Sequence, residues 1–148
     1  MRKMKVLFLC TGNSCRSQMA EGWTRHLRSD LIESYSAGID VHGLNPFAVQ
    51  VMAEADADIS HQRSKHVDEL KDVHFDYVIT VCNHADENCP VFPGRTRVIH
   101  HGFEDPARLA SQVENEEEKL NCYRRVRDEI RQFLETLPDS LGEPGGRT

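Results

Sequence analysis

The sequence predicts an α/β domain in which helices cover both faces of a parallel sheet. Apolar runs of strand length alternate along the chain with segments whose apolar residues recur at helical spacing. The first such run leads directly into a glycine-containing loop and then into a helical pattern. The 148 residues, with 39% hydrophobic and 28% charged residues, suit one globular domain with a single core.

The first half of the chain predicts two strands and two helices. Residues 5–10 are continuously apolar, which is typical of a strand buried on both faces. Residues 17–28 are expected to be helical, with four residues on one face: Met19, Trp23, His26 and Leu27. A second strand is expected at residues 32–36. Asn45 and Pro46 are typical of a helix cap and first turn.

The second half predicts two more strands and a long final helix. Residues 60–71 are polar and suggest a loop with one short helical turn. Strands are expected at residues 75–81 and 96–100, and a long loop with two prolines near its end joins them over residues 82–93. Residues 113–137 carry a helical apolar pattern, formed by Leu120, Tyr123, Val126, Ile130, Phe133 and Leu134.

The N-terminal and C-terminal segments need separate interpretation. We assign residues 1–137 to it and expect the Gly/Pro-rich residues 138–148 to form a disordered tail. The basic N-terminus and short apolar run superficially resemble a signal peptide. However, the run is too short and ends in a functional loop rather than at a cleavage site.

Charge, hydropathy and cysteine content narrow the class of protein. The net charge of −6 argues against a nucleic-acid or anionic-membrane partner. No apolar stretch is long enough to span a membrane, so we expect a cytoplasmic protein. Five cysteines, an odd number, in a reducing compartment indicate thiol chemistry rather than structural disulfides.

The loop CTGNSCRS, residues 10–17, is the strongest functional signal. A strand–loop–helix arrangement aims backbone N–H groups and the positive end of a helix dipole at one point, where an oxyanion fits. Gly12, and less easily Asn13, can adopt the left-handed angles that turn N–H groups inward. The planar fork of Arg16 matches two oxygens of a tetrahedral anion. We therefore predict anion binding by Thr11, Gly12, Asn13, Ser14, Cys15, Arg16 and Ser17.

Cys10, at the end of the first strand, is the predicted nucleophile. The positive field of the loop should favour its thiolate, with a pKa lowered from about 8.5 into the range of about 3.5–7.5. Ser17 can donate a hydrogen bond to its sulfur. The alternative is a buried cysteine at a strand end, followed by an ordinary turn between strand and helix.

Residues 10–23, CTGNSCRSQMAEGW, resemble the signature loop of the low-molecular-weight tyrosine phosphatase superfamily. More narrowly, they resemble the thioredoxin-coupled arsenate reductases with that fold. Further matches are residues 35–38, Gly43 with Asn45-Pro46, 81–82, 89–90, Asp105-Pro106 and 124–130. The resemblance covers most of the chain up to about residue 137. It implies strand order 2-1-3-4, which places the reversal of strand order beside the first strand.

The resemblance also implies a relay of three cysteines. Cys10 attacks arsenate, Cys82 attacks the Cys10 sulfur, and Cys89 attacks Cys82 to leave a disulfide that thioredoxin reduces. Cys82 follows the third strand, so its sulfur should lie at the same sheet edge as that of Cys10. Phosphate and sulfate are expected to compete with arsenate. No bound cofactor is expected, and the protein is expected to be a monomer.

Asp105 is the general acid that the resemblance implies, since attack on arsenate expels an oxygen that needs a proton. The neighbouring Glu104 is a less favoured choice, and Asp105 could instead simply cap a turn before Pro106. Phosphatase relatives usually carry an aromatic residue after the Asp-Pro pair to hold phosphotyrosine. Ala107 occupies that position here, which weakens the protein-phosphatase interpretation.

Three other interpretations remain open at this point. Cys82, His84 and Cys89, with His100 or His101, could bind zinc, although the chain lacks a Cys-x-x-Cys pair there. The chain could be a phosphatase that uses Cys10 alone. It could also be a non-catalytic redox or oxyanion sensor that binds a partner protein.

Some relatives hold a potassium ion behind the anion loop, and one departure from their pattern affects that site. The resemblance assigns its ligands to Asn13, Glu21 and Ser36, together with an acidic residue where this chain has Lys65. We expect the Lys65 ammonium to replace the ion and pair with Glu21. The alternative is that Lys65 points into solvent, as most lysines do.

Overall fold

A computed structural model, which describes residues 2–92 and 94–141, contains one four-stranded sheet. All neighbouring strands are parallel, in the order β2-β1-β3-β4. The strands are β1 Met4–Cys10, β2 Ile32–Gly38, β3 Tyr77–Thr80 and β4 Arg97–His100. The predicted fold class and strand order are confirmed. Because the strands are parallel, Cys10 at the end of β1 lies at the same edge as the residues that follow β3 and β4.

Five α-helices accompany the sheet in the described residues. They are α1 Arg16–Arg28, α2 Pro46–Glu54, α3 Asn83–Glu87, α4 Pro106–Ala110 and α5 Glu116–Leu134. Two short 3₁₀ turns occupy Val67–Leu70 and Asp139–Leu141. Helices α1, α2 and α4 all pack against α5, and α1 also packs against β1 and β2.

The core is built around β1. Its side chains from Val6 to Leu9 are fully buried, although successive side chains point to opposite faces, so both faces of the central strand are covered. The edge strand β4 alternates between exposed and partly buried residues. Trp23 joins α1 to α5, since its indole N–H donates to the Arg127 carbonyl at 3.1 Å. The Arg131 guanidinium lies 4.9 Å from the Trp23 ring centre.

Asparagine caps begin two of the helices. The Asn45 side chain accepts from the backbone N–H groups of Phe47 and Ala48, and Pro46 opens α2 as the sequence predicts. Asn115 caps α5 in the same way, ahead of three glutamates in the first turn. The cap places the start of α5 at Glu116, three residues after the expected start, and the helix ends at Leu134.

Two short helices lie where the sequence analysis expects irregular structure. Helix α3 occupies part of the predicted loop 82–93, and α4 begins directly after Asp105, whose side chain accepts from the Ala107 N–H at 3.0 Å. Each contains five residues, too few for a periodic apolar pattern to show.

The first residues of the expected tail pack on the domain. Residues 138–141 lead into and form the last 3₁₀ turn, where Leu141 is buried and its carbonyl accepts from the Tyr77 hydroxyl at 3.1 Å. Residues 142–148 lie outside the described part of the chain. No helix in the described residues is both long enough and apolar enough to cross a membrane.

Candidate active site

The loop between β1 and α1 turns its carbonyl groups away from the cleft. Backbone N–H groups of the segment 39–45 donate to four loop carbonyls, those of Cys10, Thr11, Gly12 and Ser14. The N–H groups of residues 12–15 have no protein acceptor within residues 2–92 and 94–141. They lead into the N-terminus of α1, which carries no acidic residue in its first turn. The loop therefore presents donors and a positive helix end to an oxyanion.

Asn13, rather than Gly12, supplies the left-handed residue of the loop. Its φ angle is 49°, whereas Gly12 is not among the residues with positive φ. Gly12 is needed for another reason, because a β-carbon there would overlap the His42 ring. The Asn13 side chain donates to Ser17 Oγ and accepts from the Lys65 N–H, both at 2.9 Å. These side-chain bonds hold an otherwise costly backbone conformation.

A second layer of buried amides supports the loop, and the sequence analysis does not identify it. Gln18 Nε2 donates to the Asn13 carbonyl and to the Arg63 carbonyl, both at 3.0 Å. Gln62 Nε2 donates in turn to Gln18 Oε1 at 2.8 Å. Ser64 Oγ donates to the Gly12 carbonyl at 2.9 Å. The segment 62–65 is therefore part of the site, although its polar sequence suggests only a loop.

Cys10 and Cys82 lie together at the carboxyl edge of the sheet. Their sulfurs share a hydrogen bond, and Thr11 Oγ1 lies 3.2 Å from Cys82 Sγ. The hydrogen bond from Cys10 lowers the pKa of Cys82 to about 5, with further contributions from Thr11 and the Ala85 N–H. The same sulfur–sulfur bond and burial raise the pKa of Cys10. Two adjacent thiols share one negative charge and titrate as a pair, so the expected thiolate at Cys10 stays a prediction.

Arg16 and Asp105 face the loop from two elements. One Arg16 nitrogen donates to the Phe103 carbonyl at 3.0 Å, and another lies 4.0 Å from Asp105 Oδ2. The Asp105 side chain is 42% exposed, and its other oxygen caps α4. Asp105 can therefore cap α4 with one carboxylate oxygen and serve as the general acid with the other.

The anion loop lines a cavity of about 260 Å³ with Cys10, Arg16 and Asp105 on its wall. A neighbouring open cleft shares Thr11, Arg16 and Asp105 with it and extends to Cys82 and His100. Ser17 is buried, and its Oγ accepts from Asn13. Its bond to the Cys10 sulfur stays a prediction.

Cys89 follows α3 and is partly exposed, packing at the edge of the core. All five cysteines are free thiols. No group of three or more His, Cys, Asp or Glu side chains suited to a metal ion occurs among the described residues, and the side chain of His84 lies outside them.

The Lys65 ammonium lies behind the anion loop. It donates to the carbonyls of Ser36 and Arg63, at 2.9 and 3.0 Å, and burial lowers its pKa. Glu21 accepts from Ser36 Oγ at 2.6 Å, and its ion pair is with Arg25 at 3.1 Å. The expected direct pair between Lys65 and Glu21 is absent within the described residues, because Arg25 occupies that carboxylate. Glu21 acts on Lys65 at longer range and favours its charged form.

Comparison with known proteins agrees with this geometry. The family model "Low molecular weight phosphotyrosine protein phosphatase" matches residues 5–145. An arsenate reductase of Halalkalibacterium halodurans is 46% identical over 140 residues, which cover 95% of this chain and 99% of that protein. An arsenate reductase of Bacillus subtilis is 48% identical over 135 residues, covering 88% and 95% of the two chains.

Two solved structures have the same fold. An arsenate reductase in a phosphate-binding state is 28% identical, with a TM-score of 0.66 over 94% of this chain and 99% of that one. A low-molecular-weight tyrosine phosphatase from T. tengcongensis is 26% identical, with a TM-score of 0.71 over 93% and 99%. The chain belongs to the low-molecular-weight phosphotyrosine protein phosphatase family.

Proposed function

We propose that this protein reduces arsenate to arsenite through Cys10, Cys82 and Cys89, with thioredoxin as the external reductant. The observation that carries the proposal is the position of Cys82 beside the oxyanion loop: it follows β3, the neighbour of the strand that ends at Cys10, and its sulfur lies 3.2 Å from Thr11 Oγ1. A phosphatase needs only the first of these thiols, whereas a redox step needs a second thiol within reach of the first. The naming of several relatives as arsenate reductases supports the same conclusion.

The first step forms a bond between sulfur and arsenic. The Cys10 proton passes to the Cys82 thiolate through their hydrogen bond, and the Cys10 thiolate attacks arsenic(V) in the loop. Arg16 and the loop N–H groups hold the remaining oxygens. Asp105 gives its proton to the departing oxygen, which leaves as water.

The second step transfers two electrons. Cys82 passes its proton to an oxygen of the bound arsenic group, attacks the Cys10 sulfur and forms a disulfide. The sulfur–arsenic bond breaks, and its electron pair stays on arsenic, which becomes arsenic(III) and leaves as arsenite. Cys89 then attacks Cys82 and frees the Cys10 thiolate. Two thiols of the reductant reduce the Cys82–Cys89 disulfide to two thiols and become a disulfide themselves, so that one arsenate consumes one dithiol and releases one water.

Single-turnover assays of three serine variants test the relay. Cys10→Ser should form no arsenite and hydrolyse no aryl phosphate, because a serine hydroxyl is far less acidic than a thiol and keeps its proton beside Cys82. Cys82→Ser should release no arsenite. Cys89→Ser should release about one equivalent and stop with Cys10 bridged to Cys82. Cys122→Ser, on α5, is the matched control and should turn over normally.

The same assays distinguish the alternatives. Sustained turnover of Cys89→Ser with thioredoxin would contradict the three-cysteine relay. Release of phosphate from an aryl phosphate without any arsenite formation would identify a phosphatase, for which Cys82 and Cys89 are incidental. Neither activity, with tight oxyanion binding, would identify a sensor.

A further inference from the structure

The His100 imidazole bridges the two sides of the Cys82 segment. Its Nδ1 lies 2.8 Å from the hydroxyl of Thr80, its register partner at the end of β3. Its Nε2 lies 3.1 Å from Oδ1 of Asn83, the first residue of α3. Cys82 lies between these two contacts in the chain. One side chain on β4 therefore fixes the backbone on both sides of the second thiol.

The hydrogen-bond partners of His100 determine which ring nitrogen donates and which accepts. The Asn83 Oδ1 atom only accepts, so Nε2 of His100 carries the proton and donates it. Nδ1 then accepts from the Thr80 hydroxyl. Both nitrogens are thus used, and the ring orientation is set.

Gly102 provides the space for this arrangement. A β-carbon at Gly102 would lie 3.1 Å from His100 Nε2 and 3.8 Å from Asn83 Oδ1. The first distance is tighter than ordinary carbon contacts, so a side chain there would press on the bond between His100 and Asn83. Thr80, Asn83 and Gly102 come from three different segments and converge on the same imidazole.

His100 lines the open cleft that also contains Thr11, Arg16 and Cys82. Thr11 Oγ1, which also lines the cleft, lies 3.2 Å from the Cys82 sulfur, whereas the imidazole bonds to Asn83. His100 therefore influences Cys82 through the neighbouring backbone.

Helix α3 must change shape during the proposed relay. Cys82 and Cys89 flank α3, whose residues 83–87 rise about 1.5 Å each along the helix axis, so the helix holds the two cysteines apart. The Cα atoms of a disulfide lie at most about 7 Å apart. A Cys82–Cys89 disulfide brings the two ends of α3 together, and the bond from His100 to Asn83 opposes any movement of its first residue.

We propose that His100 is a positioning residue for the second thiol step. It holds Asn83, and with it Cys82, where the Cys82 sulfur can attack Cys10, and it releases Asn83 when Cys82 turns toward Cys89. The inference rests on the proposed three-cysteine relay. It assigns to His100 a role distinct from anion binding, which the loop of residues 10–17 performs.

The first test compares two adjacent histidines on opposite sides of β4. His100→Phe keeps an aromatic ring and removes both hydrogen bonds. His101→Phe is the matched control, because His101 stacks on Phe133 at 4.0 Å and a phenyl ring can replace it. We expect arsenite formation in the first turnover to slow about tenfold in His100→Phe, roughly the effect of losing the one hydrogen bond that reaches Asn83. Phosphate affinity should be unchanged in both variants, and His101→Phe should react at the normal rate.

Two conservative substitutions at Thr80 distinguish the positioning of His100 from general destabilisation of the fold. Thr80→Ser keeps the hydroxyl that orients His100, whereas Thr80→Val has nearly the same shape and lacks it. We expect normal arsenite formation in Thr80→Ser and slowed formation in Thr80→Val. Equal rates in these two variants would contradict the role of the hydroxyl bond.

The second test does not depend on arsenate. Diamide oxidises two thiols to a disulfide, and peptide mass spectrometry identifies the Cys82–Cys89 bond. If His100 restrains α3, this disulfide should form several-fold faster in His100→Phe than in His101→Phe. An unmutated protein that forms no arsenite would refute the proposed function, while the diamide assay would still test the restraint. Unchanged arsenite and disulfide rates in His100→Phe, or a parallel loss of phosphate binding, would overturn the inference.

Discussion

At the scale of single residues, the site depends on the sulfur atoms of Cys10 and Cys82, which share one negative charge. Cys10, Thr11 and the Ala85 N–H stabilise a thiolate at Cys82 and lower its pKa to about 5. Arg16 stabilises both thiolates and faces the loop from the opposite side. The Cys10–Cys82 pair can thus deliver a thiolate to either step by moving one proton between adjacent atoms.

Replacing Thr11 with valine should raise the pKa of Cys82. The pKa of this thiol is about 5 with the Thr11 hydroxyl 3.2 Å from the sulfur. Without that donor the thiolate is less stable, so a smaller fraction is ionised between about pH 5 and 8 and arsenite forms more slowly there. Thiolate absorbance measured against pH reports the midpoint.

Thr24→Val is the control for this measurement, since the Thr24 hydroxyl donates to the Ala20 carbonyl within α1. Its titration should match that of the unmutated protein. An unchanged midpoint in Thr11→Val would show that the hydroxyl does not stabilise the thiolate.

Arg16→Lys should weaken oxyanion binding by more than the retained charge predicts. The guanidinium can donate to the Phe103 carbonyl and still offer a planar fork to two anion oxygens, which a single ammonium cannot do. We expect an increase of about tenfold or more in the dissociation constant of phosphate, measured by calorimetry. Arg124→Lys, in a surface ion pair with Glu54, should bind normally. Wild-type affinity in Arg16→Lys would argue against the bidentate contact.

At the scale of secondary structure, the site depends on how β1 and β3 are joined at their far ends. Asp76 accepts from the Lys5 N–H at 2.8 Å and from both outer nitrogens of Arg2. The Asp76 side chain is 15% exposed. This carboxylate ties the beginning of β1 to the segment before β3, and so supports the register that brings Cys10 and Cys82 together.

Asp76→Asn should destabilise the protein at neutral pH and have little effect in acid. Burial raises the pKa of Asp76, but Arg2 and the Lys5 N–H outweigh it, so that the pKa in the folded state is lowered. A lowered pKa adds stability above the unfolded value of about 3.9, and that stability is lost as pH falls through the folded value. We expect a loss of about 1–2 kcal/mol at pH 7.

Thermal unfolding between about pH 3 and 7 measures this difference. The exposed Asp72→Asn serves as the control and should unfold like the unmutated protein at every pH. A difference between Asp76→Asn and the unmutated protein that stays constant across the range would rule out the carboxylate as its source.

At the scale of the whole molecule, a locally positive anion loop lies in a chain whose net charge is −6. Lys65 contributes from behind the loop, since its ammonium binds the Ser36 carbonyl and its N–H binds Asn13. It thereby links β2, the segment 62–65 and the anion loop. We propose that it occupies the place that the resemblance assigns to a potassium ion.

Exchange of potassium for sodium at fixed ionic strength should change neither the melting temperature nor arsenate affinity. The resident ammonium repels a second cation, so no ion is available to stabilise the folded state by mass action. Lys65→Asp restores an acidic ligand and should make the melting temperature rise with potassium. Clear stabilisation of the unmutated protein by potassium over sodium would exclude the replacement.

The sequence by itself determined the features that depend on local chemistry. The apolar run of β1, the glycine-containing loop and the helix that follows are adjacent in the chain, so their combination identified the oxyanion loop and the family. The Asn45 cap and the periodicity of α5 are equally local. The four parallel strands followed from the alternation of elements, and their order from the resemblance.

Only the tertiary structure decided which distant groups meet. The buried amides of Gln18 and Gln62 and the imidazole of His100 have no local pattern, because their partners lie 20 or more positions away or on other elements. His26 shares the apolar spacing of α1 but is exposed, while Gln18 and Thr24 are buried. The charge on Cys82 likewise depends on contact with Cys10 across two strands. Such contacts are set by packing and burial, which chain neighbours do not specify.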